Sequence, residues 1–125
     1  MKQHIFAFEK LEVWKKSKEL VKQVYKLTRA IPGEEKFGLT SQIRRSAVSV
    51  VANIAEGSGR KTSKDQARFT TTSYSSLIEL LNHLIISFEI EFIDESSYLD
   101  CRRKITDISF MLSALHQAQL ARTRD

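Results

Sequence analysis

The sequence contains few residues that break helices or cross-link the chain: one Pro, four Gly and one Cys among 125 residues. A single cysteine excludes an internal disulfide framework and is typical of a protein from a reducing compartment. So few Gly and Pro leave little material for the tight turns of a β-sandwich or a β-barrel. The composition therefore argues against both of these all-β architectures.

Long uninterrupted apolar runs are also missing. The longest nearly apolar stretch, residues 77–93, is interrupted by Glu79, Asn82, His83, Glu89 and Glu91. A membrane-spanning helix needs about 20 apolar residues, and residues 1–8 lack the apolar core of a signal peptide. We therefore expect a soluble, cytoplasmic protein that does not associate with a membrane.

Apolar residues recur three or four positions apart in four segments, which is the spacing of one helix face. The predicted helices cover roughly residues 9–30, 39–57, 63–92 and 97–121. Pro32 ends the first helix, and we expect Gly57 and Gly59 to supply left-handed positions that close the second. Ser63 with Gln66, and Ser97 with Asp100, have capping-box spacing at the next two helix starts. Because short loops join long helices, the sequence predicts one all-α domain (1–125), an antiparallel up-down-up-down four-helix bundle.

The net charge of +5 combines basic and acidic segments. Residues 9–30 carry seven basic and three acidic side chains, and residues 39–68 carry six and two, so each segment has a net charge of +4. Residues 79–100 carry six acidic and no basic side chains, a net charge of −6. Complementary charges suit self-association as well as nucleic-acid binding, so both alternatives stay open.

No residue pattern in the sequence supports catalysis. The segment GSGRKT at residues 57–62 differs from a Walker phosphate loop, because Arg60 stands where the motif needs Gly and a helix precedes it. Glu79 and His83 are four residues apart and have no second copy, unlike the Glu-x-x-His pairs of di-iron bundles. We predict no catalytic residue, no metal site and no cofactor, and hence no enzyme.

Basic residues cluster around the predicted turn between the second and third helices. The clustered candidates for phosphate contacts are Arg60, Lys61, Lys64 and Arg68, with Arg44 as a weaker candidate. The N-terminus of the third helix adds partial positive charge at the same place. No aromatic platform is interleaved with these residues, so base-sequence specificity is not predicted. A solvated basic face is the alternative interpretation.

Polar residues also recur at helical spacing inside the second helix, beside its apolar face. They are Gln42, Arg45, Ser49, Asn53 and Glu56. If the second and third helices are antiparallel, Glu79 falls level with Gln42 and near Arg45. A carboxylate and a guanidinium on facing helices form a charge-assisted pair, so we predict a structural polar network that includes Glu79 and sets the helix register.

Several segments, in this order and spacing, resemble a known family. They are FEKLEVW at residues 8–14, GLTSQIRR at 38–45, NIAEG at 53–57 and SLIE at 76–79. Together they are similar to the four-helix-bundle family of 23S ribosomal RNA intervening-sequence proteins, over residues 8 to about 120. Accessory proteins of diversity-generating retroelements, which bind nucleic acid and a reverse transcriptase, are related to this family.

The resemblance implies a ring-shaped homopentamer without a catalytic site. The partners we expect are other copies of the chain, structured RNA or DNA, or a second protein. Two hypotheses remain: a nucleic-acid-binding bundle that uses its basic surface, and a protein scaffold that uses the same charge for subunit pairing.

Overall fold

Four long α-helices account for most of the chain. In the computed structural model, which describes residues 2–123, the helices are α1 (Glu12–Thr28), α2 (Leu39–Ser58), α3 (Ser63–Glu89) and α4 (Glu95–Thr123). Short 3-10 helices, Ala7–Lys10 and Gly33–Glu35, precede α1 and α2. Residues 2–123 form no β-strand. The predicted all-α fold class with four helices is thereby confirmed.

The hydrophobic core lies between the helices, and each helix contributes to it. Leu20 of α1, Ile43 of α2, Leu80 of α3 and Ile108 of α4 are fully shielded from solvent. Helix α2 packs against α1 and α3, and α4 packs against the same two helices. Burial of each such side chain contributes about 2 kcal/mol. The periodic apolar faces recognised in the sequence therefore hold this helical bundle together.

Helix α1 is shorter than predicted at both ends. Leu11 has an extended backbone, which separates the 3-10 helix Ala7–Lys10 from α1. After Thr28, each of the next three amides donates to the carbonyl three residues earlier, at N–O distances of 3.1–3.3 Å. These shorter-range hydrogen bonds tighten the last turn, so α1 ends before Ala30 and the chain turns ahead of Pro32.

The prediction of left-handed glycines at the end of α2 is wrong. No glycine among residues 2–123 has a positive φ, and Gly59 has φ −88°. Gly57 is buried inside α2, and a Cβ atom there would lie 2.8 Å from the Cβ of Phe69 on α3. Glycine is needed at residue 57 because α2 and α3 approach each other closely, and not because the backbone adopts a left-handed conformation.

The N-caps of α3 and α4 lie one and three residues before the predicted capping residues Ser63 and Ser97, although α3 starts at Ser63 as predicted. Thr62, rather than Ser63, caps α3: its Oγ1 accepts a hydrogen bond from the Asp65 amide at 3.1 Å. Asp94 occupies this position for α4, since its carboxylate accepts hydrogen bonds from the backbone amide and the hydroxyl of Ser97 at 2.7 and 2.9 Å. Helix α4 therefore begins at Glu95 instead of Ser97.

The end of α3 contains the one left-handed residue in the described part of the chain, Glu91 with φ 64°. The Glu91 amide donates to the Phe88 carbonyl at 3.0 Å, and the Phe92 amide donates to the Ser87 carbonyl at 2.8 Å. This pair of hydrogen bonds is the Schellman arrangement, in which glycine is the preferred residue at the left-handed position. Helix α3 consequently ends at Glu89, three residues before the predicted limit.

Replacing this left-handed residue by glycine is expected to stabilise the protein. Glu91→Gly removes the steric cost of a Cβ atom at positive φ, and we expect a gain of about 1 kcal/mol in the free energy of unfolding. Glu89→Gly, inside the last turn of α3, is the control and should lose roughly 1 kcal/mol. Urea denaturation measures both, and a loss of stability in Glu91→Gly contradicts the assignment of strain there.

Candidate nucleic-acid interface

Four basic residues surround the connection between α2 and α3, and we call them the basic turn: Arg60, Lys61, Lys64 and Arg68. Arg60 and Lys61 lie in the connection, and the other two lie in the first two turns of α3. The amides at the start of α3 point away from the helix and add partial positive charge to the same surface. The structure thus places all four residues at one end of the bundle.

One carboxylate lies within the basic turn and pairs with its two arginines. Asp65 Oδ1 is 3.3 Å from Arg68 Nη1, and Asp65 Oδ2 is 3.8 Å from Arg60 Nε. The Arg60 guanidinium also lies over the Phe69 ring, 4.4 Å from its centroid. Both lysines are exposed and have no ion-pair partner among residues 2–123. The lysines are therefore the cations most available to a ligand.

Arg44 is not part of the basic turn. It precedes Arg60 by sixteen residues, and a helix rises about 1.5 Å per residue, so roughly 24 Å separate them along α2. Its Nε donates to Thr28 Oγ1 at 2.9 Å, and its guanidinium lies 4.6 Å from the Tyr25 ring centroid. Arg44 therefore packs α2 against α1, which explains its half-buried position.

Small polar side chains join α2 and α3, and we call this contact the polar seam. The Ser46 hydroxyl donates to Glu79 Oε2 at 2.9 Å, and the hydroxyls of Ser49 and Ser76 are 2.7 Å apart. Asn53 Nδ2 donates to the Ser49 carbonyl at 2.8 Å and to its hydroxyl at 3.1 Å. Two of the predicted network residues, Asn53 and Glu79, thus lie in the polar seam, together with Ser49 of the same periodic set and with Ser46 and Ser76.

The other three predicted network residues lie outside the polar seam. Gln42, Arg45 and Glu56 are exposed, and their side chains form no hydrogen bond or ion pair within residues 2–123. The proposed Arg45–Glu79 pair does not form, because the helix register places Glu79 beside Ser46. Serines three residues apart on both helices were the sequence pattern that could have indicated the polar seam.

A second charged surface lies between α1 and α4, and we call it the α1–α4 groove. It encloses about 750 Å³ and is lined by six basic and three acidic side chains. Lys22 pairs with Glu19 at 3.4 Å, and Arg103 pairs with Asp100 at 3.1 Å. These pairs neutralise part of the charge. Sequence reasoning missed the groove because nothing local in the chain indicates that α1 lies beside α4.

The acidic segment, residues 79–100, lies mainly towards the other end of α3. Its carboxylates at Glu89, Glu91, Asp94 and Glu95 are exposed. Hydrogen bonds from Ser97 to the Asp94 carboxylate lower the pKa of Asp94. Since 27 residues of helix extend about 40 Å, the basic turn and the end of the acidic segment are far apart. The molecule is electrically asymmetric along its length.

Groups with catalytic or metal-binding potential are sparse in the described part of the chain. Burial raises the pKa of the Cys101 thiol to about 12, which leaves it protonated and unreactive. Residues 2–123 contain no group of three or more His, Cys, Asp or Glu side chains that could hold a metal ion. None of the helices in this part of the chain combines the length and apolar character required to cross a membrane.

Comparisons with known proteins identify a family and a similar solved structure. A family model described as 23S rRNA-intervening sequence protein matches residues 9–114. The chain is similar to a protein with unknown function from the S23 ribosomal protein family of Bacteroides thetaiotaomicron VPI-5482, whose crystal structure was solved at 1.70 Å. The TM-score is 0.78 at 25% sequence identity, covering 83% of this chain and 97% of that one. No curated protein is significantly similar to this chain.

Proposed function

Because the chain belongs to the family of 23S rRNA-intervening sequence proteins, we propose that it is a non-enzymatic, homo-oligomeric helical bundle that binds structured RNA or DNA. The basic turn is the proposed contact surface. The observation that carries this proposal is the pair of exposed lysines, Lys61 and Lys64, which have no ion-pair partner among residues 2–123. Lys61 lies directly before α3, and Lys64 lies in its first turn.

We infer that neighbouring helices run in opposite directions, in an up-down-up-down bundle. Hydrogen bonds between α2 and α3 support this, because Ser46 contacts Glu79 whereas the later residue Ser49 contacts the earlier residue Ser76. Contacts between α3 and α4 follow the same order. In this arrangement the ends of α2 and α4 and the starts of α1 and α3 share one end of the bundle. That end contains the basic turn.

Phosphate groups suit the basic turn for physical reasons. Asp65 pairs with Arg60 and Arg68 and accepts a hydrogen bond from Arg68 Nη1, which positions both guanidinium groups while their other N–H groups stay available to phosphate. A cation that contacts a phosphate releases condensed counterions, so affinity falls as salt rises. Three to four contacts give a slope of log K against log salt near −3 per bound subunit. These contacts are with the phosphate backbone of the nucleic acid and not with its bases. We therefore expect binding to any structured RNA of similar shape.

Self-association is supported by large apolar side chains left on the surface of α3 and α4. Ile78 and Ile86 of α3 and Ile90 directly after it are exposed, and Phe110 of α4 is 70% exposed. Covering such side chains with a second copy is favourable. We propose a pentamer, in keeping with the resemblance described above. Five copies carry a formal charge of +25, from +5 each, and repeated weak phosphate contacts gain avidity.

A protein scaffold is the second candidate function, and the acidic segment favours it. The exposed carboxylates of this segment outside the α1–α4 groove, at Glu89, Glu91, Asp94 and Glu95, are complementary in charge to the lysines of the groove. Pairing of these two surfaces between copies would use the charge for assembly. The oligomer would then dissociate as salt rises, whereas an oligomer held by apolar contacts would persist.

The proposed function is tested by fluorescence anisotropy with a labelled ribosomal RNA hairpin at a series of salt concentrations. We expect saturable binding with a slope of log K against log salt near −3. Light scattering after size-exclusion chromatography, at the same salts, measures the oligomer. Absence of RNA binding together with salt-induced dissociation contradicts the proposal and supports the scaffold.

A further inference from the structure

A cavity of about 500 Å³ opens at the same end of the bundle as the basic turn, and we call it the end cavity. Helices α2, α3 and α4, the 3-10 helix before α1 and Leu11, which directly precedes α1, contribute to its lining. Leu11, Ile54 and Leu115 form apolar parts of the wall. Cavities of this size, mostly apolar and with a few polar groups, are typical small-molecule sites.

Two carboxamides in the end cavity have hydrogen-bonding capacity left over. Gln119 is only 5% exposed, and its Oε1 lies 2.8 Å from the Thr70 hydroxyl. Its Nε2 has no hydrogen-bond partner among residues 2–123. Gln66 Nε2 donates to the Arg60 carbonyl at 2.9 Å, which leaves Gln66 Oε1 without a partner among the same residues. Neither atom belongs to the buried unpaired polar atoms of residues 2–123, so both are open to water or to a ligand that enters the end cavity.

The free groups of the end cavity match the chemistry of a nucleobase. A base is planar and presents apolar faces to side chains, and its edge carries hydrogen-bond donors and acceptors. An amide N–H group from Gln119 and an amide oxygen from Gln66 provide one donor and one acceptor against an apolar wall. Carboxamides are the side chains that commonly read base edges in pairs of hydrogen bonds.

The surroundings of the end cavity favour a nucleotide over an uncharged ligand. Arg122 also lines the cavity, as does Ser63 in the first turn of α3, where the helix dipole is positive. Ala7, another lining residue, lies between Phe6 and Phe8, whose rings stack with centroids 6.4 Å apart. Phe6 is 58% exposed, so its ring is accessible to an adjacent base.

We propose that the end cavity binds one unpaired nucleotide, with the base against the carboxamides of Gln66 and Gln119 and the phosphate on Arg122. The identity of its source rests on the proposed function: the nucleotide belongs to an RNA or DNA strand whose backbone lies on the basic turn. A free mononucleotide has the same chemistry, so the two sources are separated by experiment.

Mononucleotides test the end cavity without reference to RNA. The probes are AMP, GMP, CMP and UMP, the four matching nucleosides, and inorganic phosphate. Isothermal titration calorimetry with the full chain measures the binding of each probe. We expect saturable mononucleotide binding, about tenfold weaker binding of nucleosides because the Arg122 contact is lost, and no saturable response to phosphate alone. Absence of mononucleotide binding overturns the proposal.

Three variants assign the contacts. Gln119→Leu removes the carboxamide, so the affinity for nucleotides and the affinity for nucleosides should each fall by about tenfold. Arg122→Gln should lower the affinity for nucleotides only. Because Arg122 is exposed, this variant is expected to fold, and it tests the site even if Gln119→Leu impairs folding. Gln117→Leu, at an exposed position on the same helix, is the matched control and should bind normally. Equal affinities in all three variants and the wild type contradict the assignment of the site.

RNA with a single unpaired nucleotide distinguishes the inference from the proposed function. We expect the wild type to bind a bulged hairpin about tenfold more tightly than a fully paired one, and Gln119→Leu to lose this preference while still binding both. If the wild type binds paired and bulged RNA with equal affinity, the proposal that the bound nucleotide belongs to a nucleic-acid strand is wrong. If no RNA binds, the proposed function fails, while the mononucleotide measurement still decides the chemistry of the cavity.

Discussion

Reversing the charge of Lys61 and Lys64 together is expected to lower RNA affinity by about 100-fold at low salt. Each substitution by Glu removes a phosphate contact and introduces a repulsive charge, which changes affinity by roughly tenfold or more per site. The slope of log K against log salt should also become shallower by about 2, because two counterion-releasing contacts are lost. Anisotropy with the labelled hairpin measures both quantities.

The matched control reverses two lysines far from the basic turn. Lys26 near the end of α1 and Lys36 before α2 are exposed, so their replacement by Glu changes the net charge by the same amount. We expect at most a threefold loss of affinity, from the general field alone. An equal loss in both double variants contradicts the basic turn as the contact surface and points to net charge or to the α1–α4 groove.

Adding one methyl group at residue 57 is expected to destabilise the protein by about 2 kcal/mol. In Gly57→Ala the new Cβ atom meets the Phe69 Cβ at 2.8 Å, and this atom cannot move without its backbone. Separation of α2 from α3 would loosen the packing around the polar seam, and overpacking of this kind costs about 1–3 kcal/mol. Thermal and urea denaturation measure the change.

The neighbouring Gly59 provides the control for Gly57. A Cβ atom at Gly59 would lie 3.6 Å from the Glu56 carbonyl oxygen, an ordinary contact, and the backbone is right-handed. Gly59→Ala should therefore be neutral or stabilising by up to about 1 kcal/mol, through the lower entropy of the unfolded chain. Similar losses at both positions would favour the left-handed turn predicted from the sequence over the close helix contact.

The number and type of helices followed from apolar periodicity, because each helix must bury one face. Their ends followed less well. Thr62 and Ser63 are adjacent and chemically similar, and only the extended backbone of Thr62 makes it the cap. The end of α3 depends on Glu91, which adopts a left-handed conformation without the glycine that usually signals one. Tertiary packing selects between such local alternatives, so local sequence patterns alone do not predict the outcome.

The candidate site divides in the same way. The basic turn could be predicted because its four residues are close in sequence and meet through a short connection. The predicted Arg45–Glu79 pair does not form, because the actual register of the two helices places Ser46 rather than Arg45 beside Glu79. A local sequence pattern does not define helix register to within a few residues. The end cavity and the α1–α4 groove combine residues more than 80 positions apart. Such surfaces exist only once the helices are arranged in space.

Lysine footprinting with and without RNA tests the location of the interface most directly. Acetylation by a water-soluble reagent, followed by mass spectrometry, measures the reactivity of each lysine in the unmodified protein. Lys61 and Lys64 are exposed without an ion-pair partner among residues 2–123, so both should react readily when free and become protected when RNA binds. Lysines of the α1–α4 groove, such as Lys22 and Lys26, should keep their reactivity. Protection of the groove lysines with Lys61 and Lys64 unchanged would contradict a nucleic-acid interface at the basic turn.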